Sequence, residues 1–84
     1  MSKKEKLIQR LKTRPKDFTF DEAESLLRFF GYRLSEKGRT SGSRVMFISD
    51  KHSPVLLHKP HPRKELLDYQ MKQLIDILEG EDLL

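Results

Sequence analysis

Arg44-Val45-Met46-Phe47-Ile48-Ser49-Asp50-Lys51-His52-Ser53-Pro54-Val55-Leu56-Leu57 is the stretch on which the fold turns. Its first five residues alternate, with Val45 and Phe47 on one face and Arg44, Met46 and Ile48 on the other, the period of a strand. Asp50 to Ser53 is polar and reads as a hairpin turn, and Pro54 to Leu57 is a second, more buried strand. Upstream, Tyr32, Leu34 and Ser35 suggest a third strand. It is joined to Arg44 by residues 37–43, a turn rich in Gly, Ser and Arg. The three runs make a small antiparallel sheet.

Helical signals flank the sheet. Thr19-Phe20-Asp21-Glu22 is a capping box, in which the Thr19 hydroxyl accepts the third amide while Glu22 reaches back. Phe18 stands where a hydrophobic staple to Ala23 forms. Ala23, Leu26, Leu27 and Phe30 then follow helical spacing, and Gly31 supplies the stop. Ser2 to Lys12 carries Leu7, Ile8 and Leu11 on one side of a short amphipathic helix, and Pro15 with its basic neighbours reads as a linker. Pro60 and Pro62 hold Lys59 to Pro62 extended. The last helix is expected from near Arg63, burying Leu67, Met71, Leu74, Ile75 and Leu78 and ending at Gly80. The order is α-α-β-β-β-α, an α+β fold with a three-stranded antiparallel sheet and helices on one face.

Eighty-four residues allow one small domain. With hydrophobic and charged residues at 36% each, the chain can bury one thin core and must solvate the rest. Cysteine is absent, which excludes disulfides and thiolate zinc sites. No apolar run approaches the roughly 18 residues of a membrane span, and no signal-peptide core opens the chain, so an intracellular protein is expected.

The net charge of +4 hides a strong pattern. Residues 1–16 carry +6, 17–32 carry −3, 33–64 carry +6 and 65–84 carry −5. The second positive block coincides with the sheet and its exit loop, a surface suited to a polyanion. Arg63 and Lys64, placed at the start of the last helix, oppose its dipole, and a phosphate bound there would offset that cost. His58 and His61 have H-x-x-H spacing, but no Cys, Asp or Glu nearby completes a metal set. His61 is pinned between two prolines among cations, a setting for proton transfer at a phosphodiester. His52 sits in the hairpin turn beside Lys51 and Ser53 and reads as a solvated bystander. Tyr32 and Phe47 are candidate platforms for stacking bases, although the alternation turns Phe47 toward the core.

Several of these residues together resemble the HicA family, the small RNA-cleaving toxins of bacterial toxin–antitoxin pairs. The resemblance runs from about Phe20 to Leu78. It rests on Gly31-Tyr32 after the capped helix, Gly42-Ser43 opening the central strand, and Phe47 within it. Its most specific part is His61-Pro62-Arg63-Lys64-Glu65-Leu66, similar to the family's His-Pro-Gly-Lys-Glu segment. It implies a fold like that of a double-stranded-RNA-binding domain over 17–84, with 1–16 a basic N-terminal extension. The family's Gly-Ser-His histidine, its proposed catalytic residue, is replaced here by Arg44.

The resemblance implies a cytoplasmic endoribonuclease toxin that cleaves mRNA without metal or cofactor and is neutralised by a HicB-like antitoxin. Catalysis falls to Arg44, His61 and His58, and RNA binding to Lys37, Arg39, Ser43, Lys59, Arg63 and Lys64. No membrane and no DNA contact by this chain alone are expected. A guanidinium is no base near pH 7 but stabilises a phosphorane, so Arg44 would act on charge while a histidine moves protons. The alternatives are a catalytically weak or inactive RNA-binding module of the same fold, and a domain whose basic face meets an acidic protein.

Overall fold

The structure is a computed structural model, and it describes residues 3–35, 44–60 and 63–84, with Arg44 described by its backbone. In chain order the elements are α1 (Lys3–Thr13), α2 (Phe20–Phe29), β1 (Arg33–Ser35), β2 (Arg44–Ile48), β3 (Val55–His58) and α3 (Asp68–Gly80). The expected turn over 37–43 lies outside the described residues.

The strands form one antiparallel sheet in the order β1-β2-β3. Phe47 pairs with Val55 and Val45 with Leu57, so each apolar pair falls on the same face. Phe47, Val55 and Leu57 are buried there beneath the helices. β3 begins at Val55 rather than Pro54, since proline has no amide to give the ladder, and it runs on to His58, which partners Arg44. The result is the small α+β architecture of a double-stranded-RNA-binding domain, preceded by α1.

At α2 the capping box forms as expected. The Glu22 amide donates to Thr19 Oγ1 and the Thr19 amide to Glu22 Oε1, each at 3.1 Å. Phe18 and Ala23 are both fully buried on the two sides of this start. The helix ends in a Schellman motif: Gly31 N–H donates to the Arg28 carbonyl and Tyr32 N–H to the Leu27 carbonyl, with Gly31 at φ +91°. Phe20 and Phe47 meet with ring centroids 6.2 Å apart, joining the start of α2 to the middle of the sheet. α1 contributes Leu7 and Leu11 to the same core. Arg10 ties it down through Glu22 at 2.9 Å and Asp17 at 3.2 Å.

α3 departs from expectation at its start, although it ends at Gly80 as expected. It starts at Asp68, not near Arg63. Residues 64–66 are drawn into backbone pairing with 18–20 instead: Leu66 N–H donates to the Phe18 carbonyl at 2.8 Å and Phe20 N–H to the Lys64 carbonyl at 3.0 Å. Leu66 is therefore the buried anchor here, whereas Leu67 is exposed. At the far end Gly80 is still helical, and the left-handed position falls on Asp82 at φ 60°. Leu83 N–H then closes onto the Leu78 carbonyl at 2.8 Å, pulling the chain end back toward the core.

The two described glycines should respond oppositely to alanine. At Gly31 no atom lies within 4 Å of an added Cβ, so only its left-handed backbone matters; Gly31→Ala should cost about 1–2 kcal/mol. Gly80 has equally open space in helical backbone, so Gly80→Ala should gain about 0.5–1 kcal/mol. Urea unfolding of both variants, read as midpoint shifts of opposite sign, checks this.

Candidate functional site

β3 delivers its last residue, His58, to the edge of the sheet, and the chain then passes Lys59 and Pro60. It returns through Arg63 and Lys64 across the start of α2, held there by the 64–66 pairing with 18–20. Between these segments lies a cleft of about 280 Å³ lined by Thr19, Phe20, Asp21, Lys59, Pro60, Arg63 and Lys64. Three of the cations expected to bind a polyanion thus converge on one concavity, with Asp21 the single carboxylate in its lining. Lys59 Nζ stands 5.8 Å over the Phe20 ring, a cation–π contact that keeps the ammonium at the cleft. Arg63 Nε donates to the Glu65 carbonyl at 3.2 Å.

Arg63, which lines a groove with Leu67 and Asp68, and Lys64 precede α3 rather than open it. They flank the N-terminus of α2. Its dipole points positive charge at the cleft, so an anion gains from both the helix and the cations.

Gln70 positions this side of the site. Nearly fully buried, it donates from Nε2 to the His58 carbonyl at 2.8 Å and accepts the Leu67 amide on Oε1 at 2.9 Å. One side chain thus caps α3 and fixes the end of β3, immediately before Lys59. His58 itself is exposed and partners Arg44 across the ladder, which makes these two expected catalytic residues neighbours. His61, Lys37, Arg39 and Ser43 lie outside the described residues.

His52 is not the solvated bystander expected from its turn. Its Nδ1 is 3.1 Å from Glu81 Oε1, and its ring stacks on Tyr32 with centroids 6.1 Å apart. The same carboxylate oxygen accepts the Ser53 amide at 3.1 Å, while the Tyr32 hydroxyl donates to the Ser53 carbonyl at 2.8 Å. The hairpin turn is thereby pinned to the end of α3, at the other end of β3 from His58. The Ser53 amide, followed by the His52 ring, holds the Glu81 carboxyl below its ordinary 4.5; burial raises the Tyr32 phenol. Tyr32 and Phe47 are both buried, so neither offers a face to a base.

Thr19, Phe20 and Asp21 were not legible as site residues. They were visible only as a helix start, and nothing local ties them to Lys59 about forty positions away. Gln70 was equally silent, one polar residue in an amphipathic helix. Among the described residues no three His, Asp or Glu side chains gather as a metal site. No helix there is long and apolar enough to cross a membrane.

Substitution at two positions should show these ties at work. Gln70→Leu strands the His58 carbonyl and the Leu67 amide, so it should cost about 1–3 kcal/mol in urea unfolding, whereas the exposed Gln73→Leu should be near neutral. The depressed Glu81 carboxyl stabilises the fold above its unfolded value of 4.5, and this contribution is lost as pH falls through the lower folded value. Thermal unfolding of wild type should weaken over that acid range, and Glu81→Gln should flatten the dependence.

Comparison with known proteins returns one finding. The family model described as the HicA toxin of bacterial toxin–antitoxin systems matches residues 20–79, from the first residue of α2 to the penultimate residue of α3. No curated protein and no solved structure gives a significant match. With the sheet, α2, all but the last residue of α3 and all of the cleft lining except Thr19 inside the matched span, and α1 outside it, the chain belongs to the HicA toxin family.

Proposed function

We propose that this toxin is a cytoplasmic endoribonuclease that cleaves mRNA without a metal ion and is neutralised by a HicB-like antitoxin covering the basic 33–64 surface. The observation that carries the reading is the convergence of Lys59, Arg63 and Lys64 on one cleft beside the N-terminus of α2, within the span shared with the family.

Such a site suits a phosphodiester. A base removes the proton of the RNA 2′-hydroxyl, the 2′-oxygen attacks the adjacent phosphorus and the bond to the 5′-oxygen breaks. An acid returns a proton to that oxygen, leaving a cyclic phosphate and a free 5′-hydroxyl. Lys59, Lys64 and Arg44 stabilise the charge that builds on phosphorus. His61 and His58 are the proton carriers. Lys37, Arg39, Ser43 and Arg63 extend the grip on the backbone. DNA lacks the attacking hydroxyl and should resist.

A second reading, RNA binding without cleavage, is favoured by Arg44 standing where the family has its histidine, because a guanidinium cannot take a proton near pH 7.

Induced expression in bacteria should arrest growth while transcripts fragment, and a purified transcript should be cut equally well in EDTA. His61→Ala should lower cleavage by roughly 10²–10⁴, as loss of a general acid–base group does. His52→Ala should leave the chemical step intact and instead cost about 0.5–1.5 kcal/mol of stability through its lost hydrogen bond. Arg44→Ala should weaken cleavage in a way that low salt partly restores, which His61→Ala should not show. Transcript bound but uncut by wild type would establish the second reading.

A further inference from the structure

Resting on the reading that the ligand is RNA, we infer that α1 and the segment after it form a backbone-binding rail that carries the RNA strand from the cleft across the helical face. The supporting feature is continuity. A groove of about 370 Å³ adjoins the cleft and is lined by Arg14, Lys16 and Arg63 over a floor that includes Leu66 and Met71. A further groove of about 380 Å³ is lined by Lys12, Arg14, Lys72, Ile75 and Asp76. Arg63 belongs to the cleft and the first groove, and Arg14 to the first groove and the second. The three concavities are therefore linked in series by shared lining residues.

Charge along this path is strongly one-sided. Seven Lys or Arg side chains line it against the carboxylates of Asp21, Asp68 and Asp76. Asp68 is occupied by Arg14 at 3.6 Å and Lys72 at 3.9 Å. Lys12, Lys16, Lys59, Arg63 and Lys64 are exposed and make no ion pair among the described residues. Cationic walls over an apolar floor suit a single strand, whose phosphates meet the walls while sugars and bases cover the floor.

The rail is also held in place. Leu7 and Leu11 bury α1 against the core, and Arg10 is spent on Glu22 and Asp17 rather than on the path. Arg14 takes left-handed backbone at φ 49° and Pro15 follows, ending α1's course; Arg14 shares the second groove with Lys12 and the first with Lys16.

The test measures anisotropy of a labelled 2′-O-methyl oligonucleotide of twelve nucleotides, which the proposed chemistry cannot cleave, across a salt series with the full chain. Removing one phosphate-binding cation from a single-strand complex lowers the salt slope by about 0.7, so the pair Lys12→Gln/Lys16→Gln should lower it by about 1.4 and weaken binding roughly tenfold near 0.1 M salt. A four-nucleotide oligomer should bind wild type and this variant alike. Lys3→Gln/Lys6→Gln removes the same charge from α1 away from the path and should leave the slope unchanged. Circular dichroism confirms that both variants are folded. An unchanged slope in Lys12→Gln/Lys16→Gln, or an equal drop in Lys3→Gln/Lys6→Gln, overturns the rail while wild-type RNA binding stands. Loss of an acidic protein partner with the RNA slope retained overturns it too and assigns the face to protein. Wild type that binds no RNA removes the underlying reading instead.

Discussion

Two backbone hydrogen bonds, from Leu66 N–H to the Phe18 carbonyl and from Phe20 N–H to the Lys64 carbonyl, hold the segment after the sheet against the start of α2. Much else depends on them. They place Leu66 in the core, postpone α3 to Asp68 and close the cleft by bringing Arg63 and Lys64 beside Thr19 and Phe20. Such a short ladder is weak alone. Its neighbours supply the rest: the buried Phe18 and Leu66 on either side, and Gln70 locking the His58 carbonyl one residue before Lys59. Cleft geometry and folding stability are therefore coupled at this point, because the same segment anchors the core with Leu66 and lines the cleft with Arg63 and Lys64.

The two ends of β3 serve different purposes. At one end the His52–Glu81–Ser53–Tyr32 group ties the hairpin turn to the end of α3 through short hydrogen bonds and a stacked ring. At the other, the chain leaves the sheet as an exposed, cationic segment with few internal partners for its charges. An ionisable group whose partners lie within the protein stabilises the fold; one facing an open cleft is available to a ligand. By that criterion His52 belongs to the scaffold, whereas Lys59 and Lys64 line the open cleft.

α1 lies outside the residues matched by the family, yet its apolar stripe shares the core with α2 and α3. Burying Leu7 and Leu11 gives the basic N-terminal block a fixed position, and a fixed array of cations loses less entropy on meeting a polyanion than a free tail would.

Local signals carried far in this chain. The capping box at Thr19 and Glu22, the stop at Gly31 and the alternation from Arg44 to Ile48 each depend on residues a few positions apart, and each formed as written. The cations of the site were also legible, since charge is a property of composition. The start of α3 was not, because near Arg63 a helical pattern competes with strand pairing to Phe18 and Phe20, and that pairing is non-local. Nor was the role of His52, whose partner lies twenty-nine residues away, or that of Gln70. The sequence by itself determined which elements exist, their order and where positive charge is concentrated, because these follow from neighbours along the chain. Only the tertiary structure decided which cations share a cleft, which histidine is spent on the scaffold and which helix start lines that cleft, because those depend on contacts made after the chain has folded back on itself.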